Sequence, residues 1–241
     1  MARETLSEMT GGTDGGRQAR LASLASAALA LHLDIEEDTL LRLMAYLQLL
    51  QHWNRVYNLT ALRDWDEMLS HHVVDCLAVL PAMRRHAAAR TGMGGTACLP
   101  PLRILDVGSG GGLPGVVLAV VHPDWQVHCV DAVAKKASFI RQVAAELRLP
   151  NLQGLHSRVE ALNSCRYDVI TSRAFASLAD FTALSAGVLA EHGVWMAMKG
   201  KRPTDEQAAL PSNVQVFHVE QLQVPGLDAQ RCLVWLRAAD H

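Results

Sequence analysis

Apolar positions recur along this chain with two different periods, and the change from one to the other divides it. From Met1 to about Gln18 the chain is polar, carries GGTDGG and shows no periodicity, which predicts a disordered extension over residues 1–20. Leu21 to Leu33 is rich in Ala and Leu, but it is too short to span a bilayer and polar, partly acidic residues precede it, so a soluble helix is expected. Asp38 to Trp53 carries a helical stripe at Leu40, Leu41, Leu43, Met44, Leu47, Leu50 and Trp53. Glu67 to Leu80 reads as a third helix, ended by Pro81, and Ala87 to Leu99 as a flexible connection. Residues 21–100 thus form a helical region, as a cap or as an added layer, ahead of a different kind of core over residues 101–241.

In that core, short β-branched runs alternate with helical ones. Strands are expected at Leu102–Val107, Gln126–Val130, Leu152–His156, Tyr167–Thr171 and Val194–Met198, with helices at Val116–Val121, Ala134–Leu149 and Leu178–Leu189 and a short turn around Arg158–Leu162. Such alternation predicts a parallel sheet. The last two strands, Val214–Val219 and Cys232–Leu236, are joined only through the short QVPGLD connection. A parallel return needs a crossover of about a dozen residues or more, so these two pair antiparallel. An α/β sheet closed by an antiparallel hairpin is the plan of class I methyltransferases, and nicotinamide-binding folds end differently.

The chemistry centres on Arg103 to Gly115, RILDVGSGGGLPG, a strand followed by a glycine-rich turn and a helix. Glycines suit a turn whose backbone angles are closed to other residues and whose main chain a ligand must approach. Asp131 closes the next strand about 20 residues on, where nucleotide-binding folds place a carboxylate for the ribose hydroxyls. A dinucleotide loop wants glycine at its sixth position, and here Leu113 stands there; Asp106 adds negative charge near the place of a pyrophosphate. Both features favour a ligand without phosphates, and the sulfonium S-adenosylmethionine suits the DVGSGGG turn.

Composition adds limits. The chain has 241 residues, half of them apolar, and a formal charge of −2, so nucleic-acid binding must rest on a local basic patch. Five widely spaced cysteines without a C-x-x-C point to reduced thiols in a cytoplasmic protein, and the eleven histidines show no zinc-ligand spacing, so no metal is expected.

In open α/β sheets the ligand lies beyond the carboxyl ends of the strands. Val159 and Glu160 after the third strand are placed to border an adenine. The fourth strand is followed by Ser172-Arg173-Ala174-Phe175, which is neither the Asn/Asp-Pro-Pro-aromatic cluster of exocyclic-amine methylation nor the nucleophilic Cys of pyrimidine C5 methylation. Arg173 has no proton to take at neutral pH and is an anchor, not a base. An acceptor with an exposed lone pair, such as guanine N7, fits a site of this kind, where alignment does the catalysis. The segment from Trp53 to Arg63 gathers aromatic, amide and guanidinium groups as a working loop does.

NLTALR, HHVVD, ILDVGSGGGLPG, SRVE, SRAFASL, MKGK and LQVPGLD together closely resemble the bacterial small-subunit ribosomal RNA methyltransferase G family, also called glucose-inhibited division protein B, from about Leu33 to Arg237. The resemblance implies an S-adenosylmethionine-dependent enzyme making 7-methylguanosine in the decoding-centre loop of 16S ribosomal RNA, acting on that RNA or on the small subunit, with no membrane association and a monomeric state expected. It implies cofactor contacts at Gly108, Leu113, Val159, Glu160 and Arg173, the last positioning and not catalytic, with Asp131 on the ribose; the glycine turn itself adds Gly110. The RNA side is expected at Asn58, Arg63, His72, Lys199 and Lys201, with Arg55, Lys135, Lys136 and Arg202 completing a basic patch. Gly111 stands where relatives carry Pro, and the N-terminal extension lies outside the resemblance. Two other readings remain: a nicotinamide-dependent oxidoreductase of similar fold, and a non-catalytic ribosome-binding protein.

Overall fold

The structure is a computed structural model that describes residues 14–93, 101–163, 165–173, 175 and 177–239. Helix α1 spans Asp14–Ala30, so residues 14–20, expected in a disordered extension, are helical; the rest of that extension lies outside the described residues. Helix α2 spans Glu37–Tyr57 and ends where Asn58 takes a left-handed conformation and its N–H bonds to Asn54 O. The first half of the expected 53–63 loop is therefore the last turn of a helix. Asp64 caps α3 (Trp65–Met68), accepting from the Asp66 and Glu67 N–H groups. The chain continues through a π-helical stretch, Leu69–Val74, into α4 (Asp75–Leu77) and α5 (Leu80–Met93). Pro81 opens α5 instead of closing a helix, because in a first turn its missing N–H has no partner to lose. The connection expected at 87–99 is helical to Met93, and the remainder lies outside the described residues.

The core follows as β1 (Arg103–Val107), α6 (Gly115–Val121), β2 (Gln126–Asp131), α7 (Ala134–Glu146), β3 (Leu152–His156), a 3-10 turn (Val159–Ala161), β4 (Tyr167–Ser172), α8 (Leu178–Ser185), β5 (Leu189–Lys199), α9 (Thr204–Ala208), β6 (Val214–Leu222) and β7 (Arg231–Ala238). The expected helix over 178–189 stops early, a 3-10 turn at Ala186–Val188 delivers Leu189 into β5, and the short α9 was not foreseen. The strands form one sheet of order β3-β2-β1-β4-β5-β7-β6. Its first five strands run parallel, and β7 pairs antiparallel with both β5 and β6, as the short connection required.

Alternate residues of the strands enter two cores. Leu105, Val107, Ile170, Val234 and Leu236 pack under Phe181 of α8. Ile104, Val127, Met196 and Trp235 face the other way and join Leu24, Leu43, Leu47, Met68 and Leu77 in one continuous cluster. The N-terminal helices are thus an added layer on the sheet and share its core. Trp53 and Tyr46 lie 5.4 and 6.5 Å, ring centre to centre, from Phe139 of α7, and Tyr46 Oη donates to Gly111 O at 2.6 Å. Among the described residues no helix is long and apolar enough to cross a membrane.

This packing explains part of the glycine loop. A Cβ on Gly111 would lie 2.9 Å from Leu50 Cδ1, and one on Gly115 would press on Cys129 and Asp106. At Gly112, with φ +90°, it would collide with Val116 and sit 2.7 Å from Ile140 Cδ1. Gly108, with φ +67°, has open space over it. Gly112→Ala is therefore expected to lower unfolding stability by about 2–4 kcal/mol, from strain and overpacking. Gly108→Ala loses about 1–2 kcal/mol, from the left-handed backbone alone. Urea midpoints at constant m-value check the order, and equal losses would contradict it.

Candidate functional site

The carboxyl ends of β1 and β2 are tied by their own backbone. Gly108 and Ser109 donate to Val130 O at 2.9 and 3.3 Å, which folds the glycine turn over the end of β2. Asp131 Oδ2 then accepts the Gly110 N–H at 3.1 Å and Oδ1 accepts the Val133 N–H at 2.9 Å, with Lys136 Nζ 3.6 Å away. Each oxygen keeps a lone pair for one more donor, which matches two neighbouring hydroxyls. A cleft of about 190 Å³ opens here, lined by Gly108, Asp131, Ala132, Val159, Glu160 and Phe175 among others. A glycine without neighbours above it, a strand-end carboxylate with spare acceptor capacity and an apolar slot between Val159 and Phe175 suit a nucleoside.

Two residues from the sequence reading lie elsewhere. Leu113 does not line the cleft; its side chain is buried in the larger core. Asp106 is wholly buried and turned under the loop, where Oδ2 accepts the Gly115 N–H at 3.0 Å at the start of α6. Burial pushes its carboxyl up to about 7, against the lowering influence of the Gly115 N–H and the Arg173 charge. It therefore braces the turn and does not present a full negative charge to the ligand.

Beside the cleft lies a second cavity of about 380 Å³, over the ends of β4, β5 and β7 and under the π-helical stretch. Arg173 lines it and not the first cleft. Its Nη1 donates to His71 O at 2.9 Å and lies 3.5 Å from Asp75 Oδ2, while both Nη atoms stand 3.3–3.4 Å from His72 Nδ1. A guanidinium only donates, so His72 Nδ1 is the acceptor, and the ring proton sits on Nε2, 2.7 Å from Thr60 Oγ1. Burial first and the Arg173 charge second lower the His72 pKa to about 4. Asp75 is 2 % exposed and also accepts from Arg231 Nε at 2.9 Å.

The NLT segment backs the cavity wall through the contact of Thr60 with His72 and is held from α2. The buried Asn54 donates to Leu62 O at 2.9 Å and accepts the Thr60 N–H at 2.9 Å. Asn58 and Arg63 are exposed and bond to each other at 3.1 Å. Lys201 and Arg202 are exposed, and Lys135 lies over the Tyr57 ring at 5.9 Å. Lys199 differs from expectation: its Nζ contacts Glu206 at 2.8 and 3.0 Å, so its charge is largely answered within the chain. Asp75, Arg231, Asn54 and Phe175 were missed as site residues. Asp75 left a signal, being a lone carboxylate within the apolar run HHVVDCLAVL. Arg231 left none, since only the β7–β5 pairing brings it to the cavity.

A seven-stranded sheet of this order, with β7 inserted antiparallel and a nucleoside cleft at the ends of β1 and β2, defines a class I methyltransferase. The family model of rRNA small subunit methyltransferase G matches residues 40–234, and the chain belongs to that family. A relative of that name from Acidovorax ebreus (strain TPSY) is 60 % identical over 215 residues, covering 89 % of this chain and 94 % of the relative. Another, from Polaromonas sp. (strain JS666 / ATCC BAA-500), is 56 % identical over 223 residues, covering 92 % and 94 %. The nicotinamide reading falls with this result.

The histidine geometry fixes a pH response. Unfolded His72 takes a proton near 6.5 and folded His72 only near 4, so between those values the unfolded state binds more protons. Stability is accordingly expected to fall as pH drops from about 6.5 to about 4, with the His72 ring signals in NMR unshifted until below about pH 5. Titration near 6.5 would contradict this geometry.

Proposed function

We propose that this chain transfers a methyl group from S-adenosylmethionine to N7 of a guanine in the decoding-centre loop of 16S ribosomal RNA, in the cytoplasm. The observation that carries the proposal is that, among the described residues, three of the four ionisable neighbours of Arg173 and Arg231 in the cavity beside the cleft are committed within the chain, and the fourth, His71, is tied through Nδ1 to its own helix at Glu67 O. His72 stays neutral with its acceptor nitrogen turned to a guanidinium, Asp75 is held by two arginines, and Lys199 is paired with Glu206. An acceptor that must first lose a proton is poorly served there, whereas guanine N7 attacks with a lone pair it already has.

When bound, the cofactor supplies an electrophilic sulfonium methyl. Asp131 holds the ribose hydroxyls, Gly108 and Gly110 let the backbone approach, and Val159 and Glu160 border the adenine. Arg173, fixed by His71 O and Asp75, anchors the methionine carboxylate at the boundary between cleft and cavity. The protein's contribution is alignment and the exclusion of water, which is where a reaction without proton transfer gains most. Arg55, Arg63, Lys135, Lys201 and Arg202, all exposed, give the RNA backbone the local positive surface that a chain of net charge −2 lacks overall.

Small subunits from cells lacking the protein, incubated with it and labelled S-adenosylmethionine, are expected to gain 7-methylguanosine at one position. The rate should be level between about pH 6 and 8 because no essential base titrates there. Absence of label would leave a non-catalytic binder. Asp131→Ala should weaken S-adenosylhomocysteine binding by about 1.5–3 kcal/mol in calorimetry, from the lost charge-assisted bonds and the untied Gly110. An unchanged affinity would remove Asp131 from the ribose. Replacing Arg55, Arg63 and Lys135 together by Gln should flatten the salt dependence of RNA binding by up to about three units of slope, and an unaltered slope would place the RNA elsewhere.

A further inference from the structure

Arg231 opens β7 at the wall of the second cavity, where the reading above uses it only to hold Asp75. Its Nε donates to Asp75 Oδ1 at 2.9 Å and its Nη1 to Gln230 O at 2.9 Å; Nη2 has no partner among the described residues. An arginine held on two of its three nitrogens offers the third with little freedom left to lose. Of its neighbours, Arg173 is held through Nη1 by His71 and Asp75 and by the reading above gives its remaining donors to the cofactor, and Lys199 is paired with Glu206. Arg231 Nη2 is thus left as a donor at the cavity wall.

The geometry points to Arg231 as the residue that selects the acceptor base, its free Nη2 donating to O6 of guanine. This inference rests on the guanine reading above and deepens it. The outer edge of guanine presents two adjacent acceptors, N7 and O6, while adenine presents N7 beside an amino donor. A free arginine takes both guanine acceptors with its fork, and a fork over N7 would block the atom that must attack. Arg231 has given up its fork to Asp75 and Gln230 and has one nitrogen to offer. It marks O6, leaves the N7 lone pair open, and sets a donor against the amino group of an adenine.

The test uses the full chain and its RNA substrate with guanine, inosine or 2-aminopurine at the target position. Inosine keeps O6 and N7; 2-aminopurine keeps N7 and lacks O6. The wild type is expected to methylate guanine and inosine alike and 2-aminopurine about 10- to 100-fold more slowly, as the loss of one charged hydrogen bond predicts. Arg231→Ala should slow guanine and inosine and leave 2-aminopurine nearly unchanged, so that the ratio collapses toward one. Arg231→Lys, which keeps a charge beside Asp75, should restore stability and only part of the ratio. S-adenosylhomocysteine affinity should hold in all three proteins. An Arg231→Ala variant that slows all three bases equally, or that keeps the wild-type ratio, overturns the assignment and leaves the guanine reading standing. A wild type that methylates none of them at N7 sinks the guanine reading and this inference with it.

Discussion

One buried carboxylate joins the two halves of this molecule at the point where they must meet. Asp75 arrives on the helical layer, and its partners arrive on the sheet, Arg173 just past the end of β4 and Arg231 at the start of β7. A lone carboxylate buried there would cost several kcal/mol, and either arginine alone would leave one oxygen poorly answered. The pair of guanidinium groups makes the burial tolerable and fixes the register between layer and sheet. The same contact holds Arg173 and Arg231 on the wall of one cavity, where the proposed reading gives the first to the cofactor and the second to the acceptor base. Removing Asp75 would free both arginines at once, so its place in the fold and its place in the site are one.

A second consequence of the layered build lies on the glycine turn. Three glycines of that turn, Gly111, Gly112 and Gly115, are closed off by Leu50, Val116, Ile140 and Cys129, and only the turn's first glycines remain near ligand space. Tyr46 adds a bond to Gly111 O from the same helix as Leu50. The turn is pressed into shape from behind by α2, which is why the helical layer cannot be regarded as a detachable cap.

What could be read from the chain follows from what is local. The positions of the strands, the closing hairpin, the glycine turn and the place of Asp131 at the end of the second strand were legible because each is written in a short run: period, turn residues, spacing. The end of α2 was misread because Trp53 to Tyr57 look like loop chemistry until Asn58 is seen to terminate the helix. Pro81 misled because proline stops one helix and opens another equally well. Asp106 was credited with charge toward the ligand, and burial, which no local pattern reveals, turned it into a brace. Lys199 was counted as free because its partner Glu206 lies in α9, a helix too short to carry a periodic signal. Arg231 was invisible because its importance depends on two strands and a helix meeting.

The charge states around the cavity agree with the proposed chemistry more closely than any one contact does. Methyl transfer to N7 carries positive charge from the sulfonium into the base, so each additional cation facing the base opposes it. His72 titrates ordinarily near 6.5 and would supply such a cation in mildly acid conditions, but burial and Arg173 hold it neutral. Glu206 answers Lys199, and Asp75 is shared between the two arginines. A donor on O6 also draws electron density away from N7, so selecting guanine in this way costs some nucleophilicity. A rigid arginine with a single bond to give keeps that cost small, and the fixed alignment of N7 with the methyl group offsets it. Selection and reactivity compete at this edge of the base, and the shared carboxylate sets the balance by deciding how many nitrogens Arg231 has left.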